Sequence, residues 1–465
     1  TDYNTNTANT IAGLSALTAN DVVEIVVYDV FSVFSGNVNS DFSVGGNLSV
    51  TGTVDIDGAA TTDGITNSGN FSTDGGTIKL DGNYPTGSNN VALGDQALDD
   101  GSLSGNANTA IGFQALSENE GGGSNVAVGS GSLFSNTSAS NNTALGKDAL
   151  YANTTGSEGT AVGQGALSAN TTGTQNTAVG RKALEVNTTG AGNTAVGQRA
   201  LDANTTADNN TAVGRAALGA NTTGASNAAV GPYALQSNTT GDANIAMGHS
   251  ALGNTTTGSY NTAVGRDSLT TNTTAELNTA MGYRSLYLNT TGELNTGIGG
   301  YALNKTTTGV RNTAVGYTSM NSNTTGNQNT ALGSHSLDAN TTGGANTAVG
   351  YQALTGNTTA ADNTSVGYNS LVANTTGASN TAVGSGALNA NTTASNNVAV
   401  GRIAMAANTT GASNVGVGYQ ALNTSTTANS NVAVGFQAGL YTTTGSSNVA
   451  VGTAALQANT TASNN

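Results

Sequence analysis

Asn176-Thr177-Ala178-Val179-Gly180-Arg181-Lys182-Ala183-Leu184-Glu185-Val186-Asn187-Thr188-Thr189-Gly190-Ala191-Gly192 is followed at once by Asn193-Thr194-Ala195-Val196-Gly197, and the pattern begins again. From residue 89 onward the chain is built of this unit, N-T-A-V-G-x-x-A-L-x-A-N-T-T-G-x-x. Its anchor is the Gly that ends N-T-A-V-G, as at Gly112, Gly129, Gly163 and Gly180. The first step, from Gly94 to Gly112, is 18 residues; every later step to Gly452 is 17, which gives 22 copies. The residue before the anchor is always aliphatic or Met, for example Leu93, Ile111, Val162 and Met247. Four residues after it comes Leu (Leu98, Leu116, Leu150, Leu167, Leu354), with Met320 and Met405 as substitutes. Four residues before it stands Asn in every copy but one, where Gly159 replaces it.

Seventeen residues are too few for a helix pair, and Gly, Asn and Thr are poor helix formers. Short apolar segments between Gly and Asn read as strands joined by turns. One repeat is therefore expected to be one coil of an all-β, parallel β-solenoid: strand T-A-V, a Gly turn, strand A-L-x-A, then an N-T-T-G turn. Val and Leu are expected to point inward, and rows of Ala on the other strand face to admit a second chain. A single coil buries far too little to offset the entropy of ordering seventeen residues, so coils must stack. The core stays thin, which suggests association of chains along the rod. In the copy at Gly435, Gly439 displaces Leu to Leu440, and a local irregularity is expected there.

Composition narrows the chemistry. The 465 residues include 65 Gly, 2 Pro, 2 His and no Cys or Trp, with 8% charged residues and a net charge of −15. Disulfides and thiolate metal sites are excluded, and the acidic balance argues against nucleic acid. No stretch reaches the length of an apolar membrane span, and no signal peptide is visible. Aliphatic residues at fixed places argue against disorder. No nucleophile–base pair, carboxylate pair or phosphate loop stands out, so neither an enzyme nor a cofactor is expected. His249 and His335 lie five coils apart, roughly 24 Å, too far to share a metal. Asp55, Asp57 and Asp63 lack the spacing of a calcium loop.

Variation concentrates just after the anchor Gly, at positions expected to face solvent. The first of these carries Phe113, Tyr283, Tyr317, Tyr351, Tyr368, Tyr419 and Phe436. Such an aromatic row could stack on the sugar rings of a cell-surface glycan; the plainer reading is rim packing between coils or chains. Arg181, Lys182, Arg199, Arg215, Arg266, Arg284 and Arg402 share these positions with Asp148 and Asp267 and read as solvated surface or inter-chain pairs. The N-T-T triplets have the form of glycosylation sequons. Repeated Thr also invites an ice-binding reading, but these Thr are placed at a Gly-terminated turn rather than on a flat face.

In Asn125-Val126-Ala127-Val128-Gly129 and Asn397-Val398-Ala399-Val400-Gly401 the repeat resembles the head repeats of trimeric autotransporter adhesins. That resemblance implies a left-handed parallel β-roll with three chains side by side, each coil here carrying a longer turn than the family's usual one. The longer repeat is also similar to those of bacteriophage tail-fibre proteins. Residues 20–34, N-D-V-V-E-I-V-V-Y-D-V-F-S-V-F, look like the last strands of a small β domain found in such fibres. The Gly-broken alternation from Gly45 to Gly58 looks like a fibre shaft. The expected organisation is thus 1–35, the end of a small β domain; 36–88, a β fibre shaft; and 89–465, the rod. Beginning without Met and stopping at Asn465, the chain reads as an ordered portion of something longer.

The resemblance implies a homotrimeric, extracellular fibre on a virion tail. It would join other tail components N-terminally and present a tip to a host receptor or glycan. A bacterial surface adhesin and a self-assembling extracellular filament are the alternatives.

Overall fold

The computed structural model describes residues 88–465, and the expectations for the small β domain, most of the shaft and Asp55, Asp57 and Asp63 lie outside them. The described chain is all-β, without helix: 22 strands of three residues each, from β1 (Val91–Leu93) to β22 (Val449–Val451). Each strand pairs in parallel with the strand of the next coil. Val91 sits opposite Thr109 across the 18-residue first step, and thereafter each residue meets its equivalent 17 residues on, as Thr177 meets Thr194. Twenty-two strands stacked at about 4.8 Å form a solenoid on the order of 100 Å long.

Two expectations are corrected. The first concerns which face of the strand is inside. From the second strand onward the middle residue of every T-A-V is buried, while the flanking residues are half-buried or exposed. Ala178 and Ala195 face the core, whereas Leu145 and Met247 are 47% and 46% exposed. Alternation across a strand puts Thr and Val on one face and Ala on the other. The interior already holds Leu, a second Ala or Ser, and two rows of Asn, and this leaves room only for the small side chain. The row left outside is therefore Val, Ile, Leu and Met, not Ala.

The second correction is that A-L-x-A is not a strand. After the anchor Gly the backbone turns through alternating left-handed residues: Gly112 at φ +133, Gln114 at +57 and Leu116 at +52. Left-handed Leu is disfavoured by roughly 1–2 kcal/mol, yet the conformation recurs in coil after coil. It aims the N–H groups of alternate residues at opposite neighbours, while the Ala115 N–H between them turns back to the Gly112 carbonyl of its own coil (3.3 Å). The Gln114 N–H donates to the Asp95 carbonyl one coil back (3.0 Å), and the Leu116 N–H donates to the Ser132 carbonyl one coil forward (3.0 Å). Leu116 and Leu167 are fully buried by it.

The anchor Gly is required twice over. Its φ suits no other residue, and a Cβ on Gly180 would stand 2.6 Å from the carbonyl oxygen of Gly197. In the coil at Gly435 the ladder persists: Gly439 takes the left-handed position (φ +61), donates to Ala455, and Leu440 buries from the next position.

Polar ladders fill the rest of the interior. The Asn125 backbone N–H donates to Oδ1 of Asn108 (3.0 Å), and its Nδ2 donates to the Ala139 carbonyl (2.9 Å). In the second row Nδ2 of Asn136 donates to Oδ1 of Asn119 (2.7 Å) and again to the Ala139 carbonyl (3.0 Å). One carbonyl thus receives both amides of its coil. These bonds remove the penalty of burying Asn. Outside them, the Thr137 hydroxyl donates to the Thr154 carbonyl (3.2 Å) and the Thr154 hydroxyl to the Thr171 carbonyl (3.0 Å), rungs of a row along this turn.

Candidate functional site

The two residues after each anchor Gly form one edge of the solenoid, which gathers most of the chain's chemistry. Eight of the 11 Lys and Arg lie on it: Lys147, Arg181, Lys182, Arg199, Arg215, Arg266, Arg284 and Arg402. Both His lie there too. Stacking puts equivalent positions about 4.8 Å apart, close enough for rings of successive coils to touch.

Four of the five tyrosines of the expected row are brought together. Tyr283, Tyr317, Tyr351 and Tyr368 are 37–57% exposed. They do not touch in simple succession, because Tyr301 and His335, one position further along their coils, fill the gaps. The ring centroids follow at 5.3 Å (Tyr283–Tyr301), 6.2 Å (Tyr301–Tyr317), 5.8 Å (Tyr317–His335) and 6.1 Å (His335–Tyr351), all edge-to-face. Tyr351 and Tyr368 close the ladder in a stacked pair at 5.7 Å. Tyr419 stands apart, half-buried, stacked on Phe436 at 5.4 Å and capped by the Arg402 guanidinium at 5.9 Å. Spacing alone pointed to the first position after Gly; Tyr301 and His335 could have been found by asking which side chains reach that row from the second.

Ring-on-ring contact explains part of this burial as packing between coils. Partial desolvation, then the neighbouring Tyr283, push the Tyr301 phenol above its ordinary range. His335 is fixed by the Thr318 hydroxyl (2.8 Å) and by Asp338 (3.5 Å), and His249 by the Ser250 hydroxyl (2.9 Å).

The cations fall into two groups. Arg266 and Arg284 share Asp267 (3.4 and 3.6 Å), and Arg284 is also held between the rings of Tyr283 and Tyr287 at 5.3 and 5.0 Å. Further toward the N-terminus, Arg181, Gln198, Arg199, Arg215, Tyr233 and Gln236 line a cleft of about 360 Å³. Lys182 is paired with Glu185 at 2.9 Å, and Arg199 lies 3.8 Å from Asp202. Burial raises the Asp202 carboxyl above its usual range, against the pull of Arg199. Arg181 and Arg215 have no carboxylate within 4.0 Å among the described residues.

Among the described residues no group of three or more His, Asp or Glu is placed to hold a metal, and no helix is long and apolar enough to cross a membrane. Comparison with family models and with curated protein sequences finds no match to this chain.

Proposed function

We propose that the chain forms the rod of a homotrimeric fibre, of the viral tail-fibre kind, which holds a receptor-binding tip away from its particle for attachment to a host cell. The observation that carries this reading is the unbroken apolar row before the anchor glycines, Leu93 to Val451, with none of its 22 members buried in the single chain. Monomeric soluble proteins rarely expose contiguous apolar surface beyond a few hundred Å². A row running the length of the solenoid fits a second and third copy lying parallel. Closed cyclic symmetry about an axis along the rod lets each copy present the same row to the others. The resemblance to trimeric adhesin heads supports three copies. Continuous ladders of strand bonds and asparagines supply the stiffness such a rod needs.

The polar and aromatic edge favours a second reading, in which the flank of the rod itself binds, as in a bacterial surface adhesin. Electron micrographs of the purified full chain test the fibre reading. Straight particles of uniform length are expected; end-to-end polymers of growing length would replace it with a filament.

A further inference from the structure

We propose that the cleft formed by Arg181, Arg199, Arg215, Gln198, Tyr233 and Gln236 binds the carboxylates of an acidic polysaccharide lying along the rod. The chain carries a net charge of −15 and only 11 Lys and Arg, yet three arginines converge here from three successive coils. Arg181 and Arg215 occupy the same position two coils apart, about 10 Å. Like charges at such distances repel unless an anion lies between them. The chain supplies its own anions at Arg266 and Arg284 through Asp267, and at Lys182 through Glu185. It supplies none within 4.0 Å to Arg181 or Arg215 among the described residues.

Arg215 is also preorganised. Its guanidinium lies 5.3 Å over the Tyr233 ring, and that ring is braced edge-on by His249 at 5.7 Å. A guanidinium held in this way keeps its donor fork for a planar oxyanion, which a carboxylate fits bidentately. Gln198 and Gln236 add donors and acceptors suited to sugar hydroxyls.

The spacing of the arginines favours this ligand over nucleic acid. Duplex DNA carries a charge every ~1.7 Å and would press many phosphates against an acidic chain. A polysaccharide with one acid per sugar or per disaccharide presents sparser charge, with hydroxyls between. One chain holds the whole site, so the proposal stands apart from the trimer.

The test is affinity electrophoresis of the full chain through gels containing polygalacturonate, with neutral dextran, dextran sulfate and duplex DNA in parallel. Retardation by polygalacturonate that weakens with added salt is expected, with none by dextran. Arg181→Ser with Arg215→Ser should weaken binding about tenfold or more. Lys147→Ser with Arg402→Ser removes the same charge from the same edge and should change it less than about twofold. Thermal melts followed by circular dichroism check that both pairs remain folded. Absence of retardation at low salt, or equal loss in both pairs, would overturn the proposal. Arg181- and Arg215-dependent binding of DNA, or of dextran sulfate alone, would overturn it in favour of phosphate or sulfate.

Discussion

Asn238 and Thr255 stand in the same position of successive coils, and Oδ1 of Asn238 is buried there without a hydrogen-bond donor. One coil earlier the rung is intact: Nδ2 of Asn238 donates to Oδ1 of Asn221 at 2.7 Å. Thr255 cannot supply the matching amide. The same orphan occurs at Asn289, followed by Thr306, and at Asn408, followed by Ser425. The buried amide row is therefore a chain of donors and acceptors whose defects are local and identifiable.

Restoring a rung should stabilise the rod. Thr255→Asn places Nδ2 toward Asn238 and an acceptor toward Asn272, whose Nδ2 donates to the Ala275 carbonyl (3.1 Å) and reaches the Thr255 hydroxyl only at 3.4 Å. A gain of about 1 kcal/mol is expected. Asn153→Leu removes the Nδ2 donor to Asn136 (3.0 Å) and the acceptor for Asn170 (2.8 Å), for an expected loss of about 1–3 kcal/mol per orphaned group. Chemical denaturation of both variants against the parent measures the two signs.

The glycine stack should tolerate nothing larger. Gly197 has φ +138, and a Cβ there would lie 2.6 Å from the Gly214 carbonyl oxygen. Gly197→Ala should cost at least about 1–3 kcal/mol in backbone strain. Because each coil touches only its neighbours, the damage should stay local. Amide hydrogen exchange should reveal lost protection around Gly197 and Gly214, with coils near Gly333 unaffected.

Asp202 gives a pH dependence of definite sign. Burial raises its pKa in the folded chain, so the folded state holds the proton more tightly than the unfolded one. The resulting stability is complete below the ordinary Asp pKa of about 3.9 and is lost as pH rises through the raised value. Asp202→Asn should melt like the parent at low pH and slightly higher at neutral pH, by less than about 1 kcal/mol after the Arg199 pair is discounted. The same variant releases Arg199 and should strengthen polygalacturonate binding up to about fivefold in electrophoresis.

Charging the apolar row should separate chains without unfolding them. Val179 and Val196 face outward, so Val179→Asp with Val196→Asp leaves the coil interior untouched. The circular dichroism spectrum should be unchanged while chain association weakens, readable as a lower mass in sedimentation.

The period, the anchor glycines, the buried Leu row and the T-A-V strands were all legible as spacing, because stacked coils force equal lengths on successive repeats. The facing of the strand was not. Hydrophobicity alone puts Val179 inside, and only the width taken by Leu184 and the asparagines decides for Ala178. Nor could spacing distinguish Ala183-Leu184 as a strand from a turn of alternating handedness, since both bury Leu184; the difference lies in where its N–H points. At the edge, Tyr283, Tyr317 and Tyr351 were visible as a row. Tyr301 and His335, which complete it, sit at a position that spacing treats as separate. The Arg181–Arg215 cleft needed the absence of nearby carboxylates, a fact of three dimensions.

The central claim is that the outward apolar row joins three chains. Light scattering of the full chain after size exclusion tests it most directly. A single folded species at three times the chain mass of 45.4 kDa is predicted. A folded species at one chain mass, stable across concentration, would contradict it.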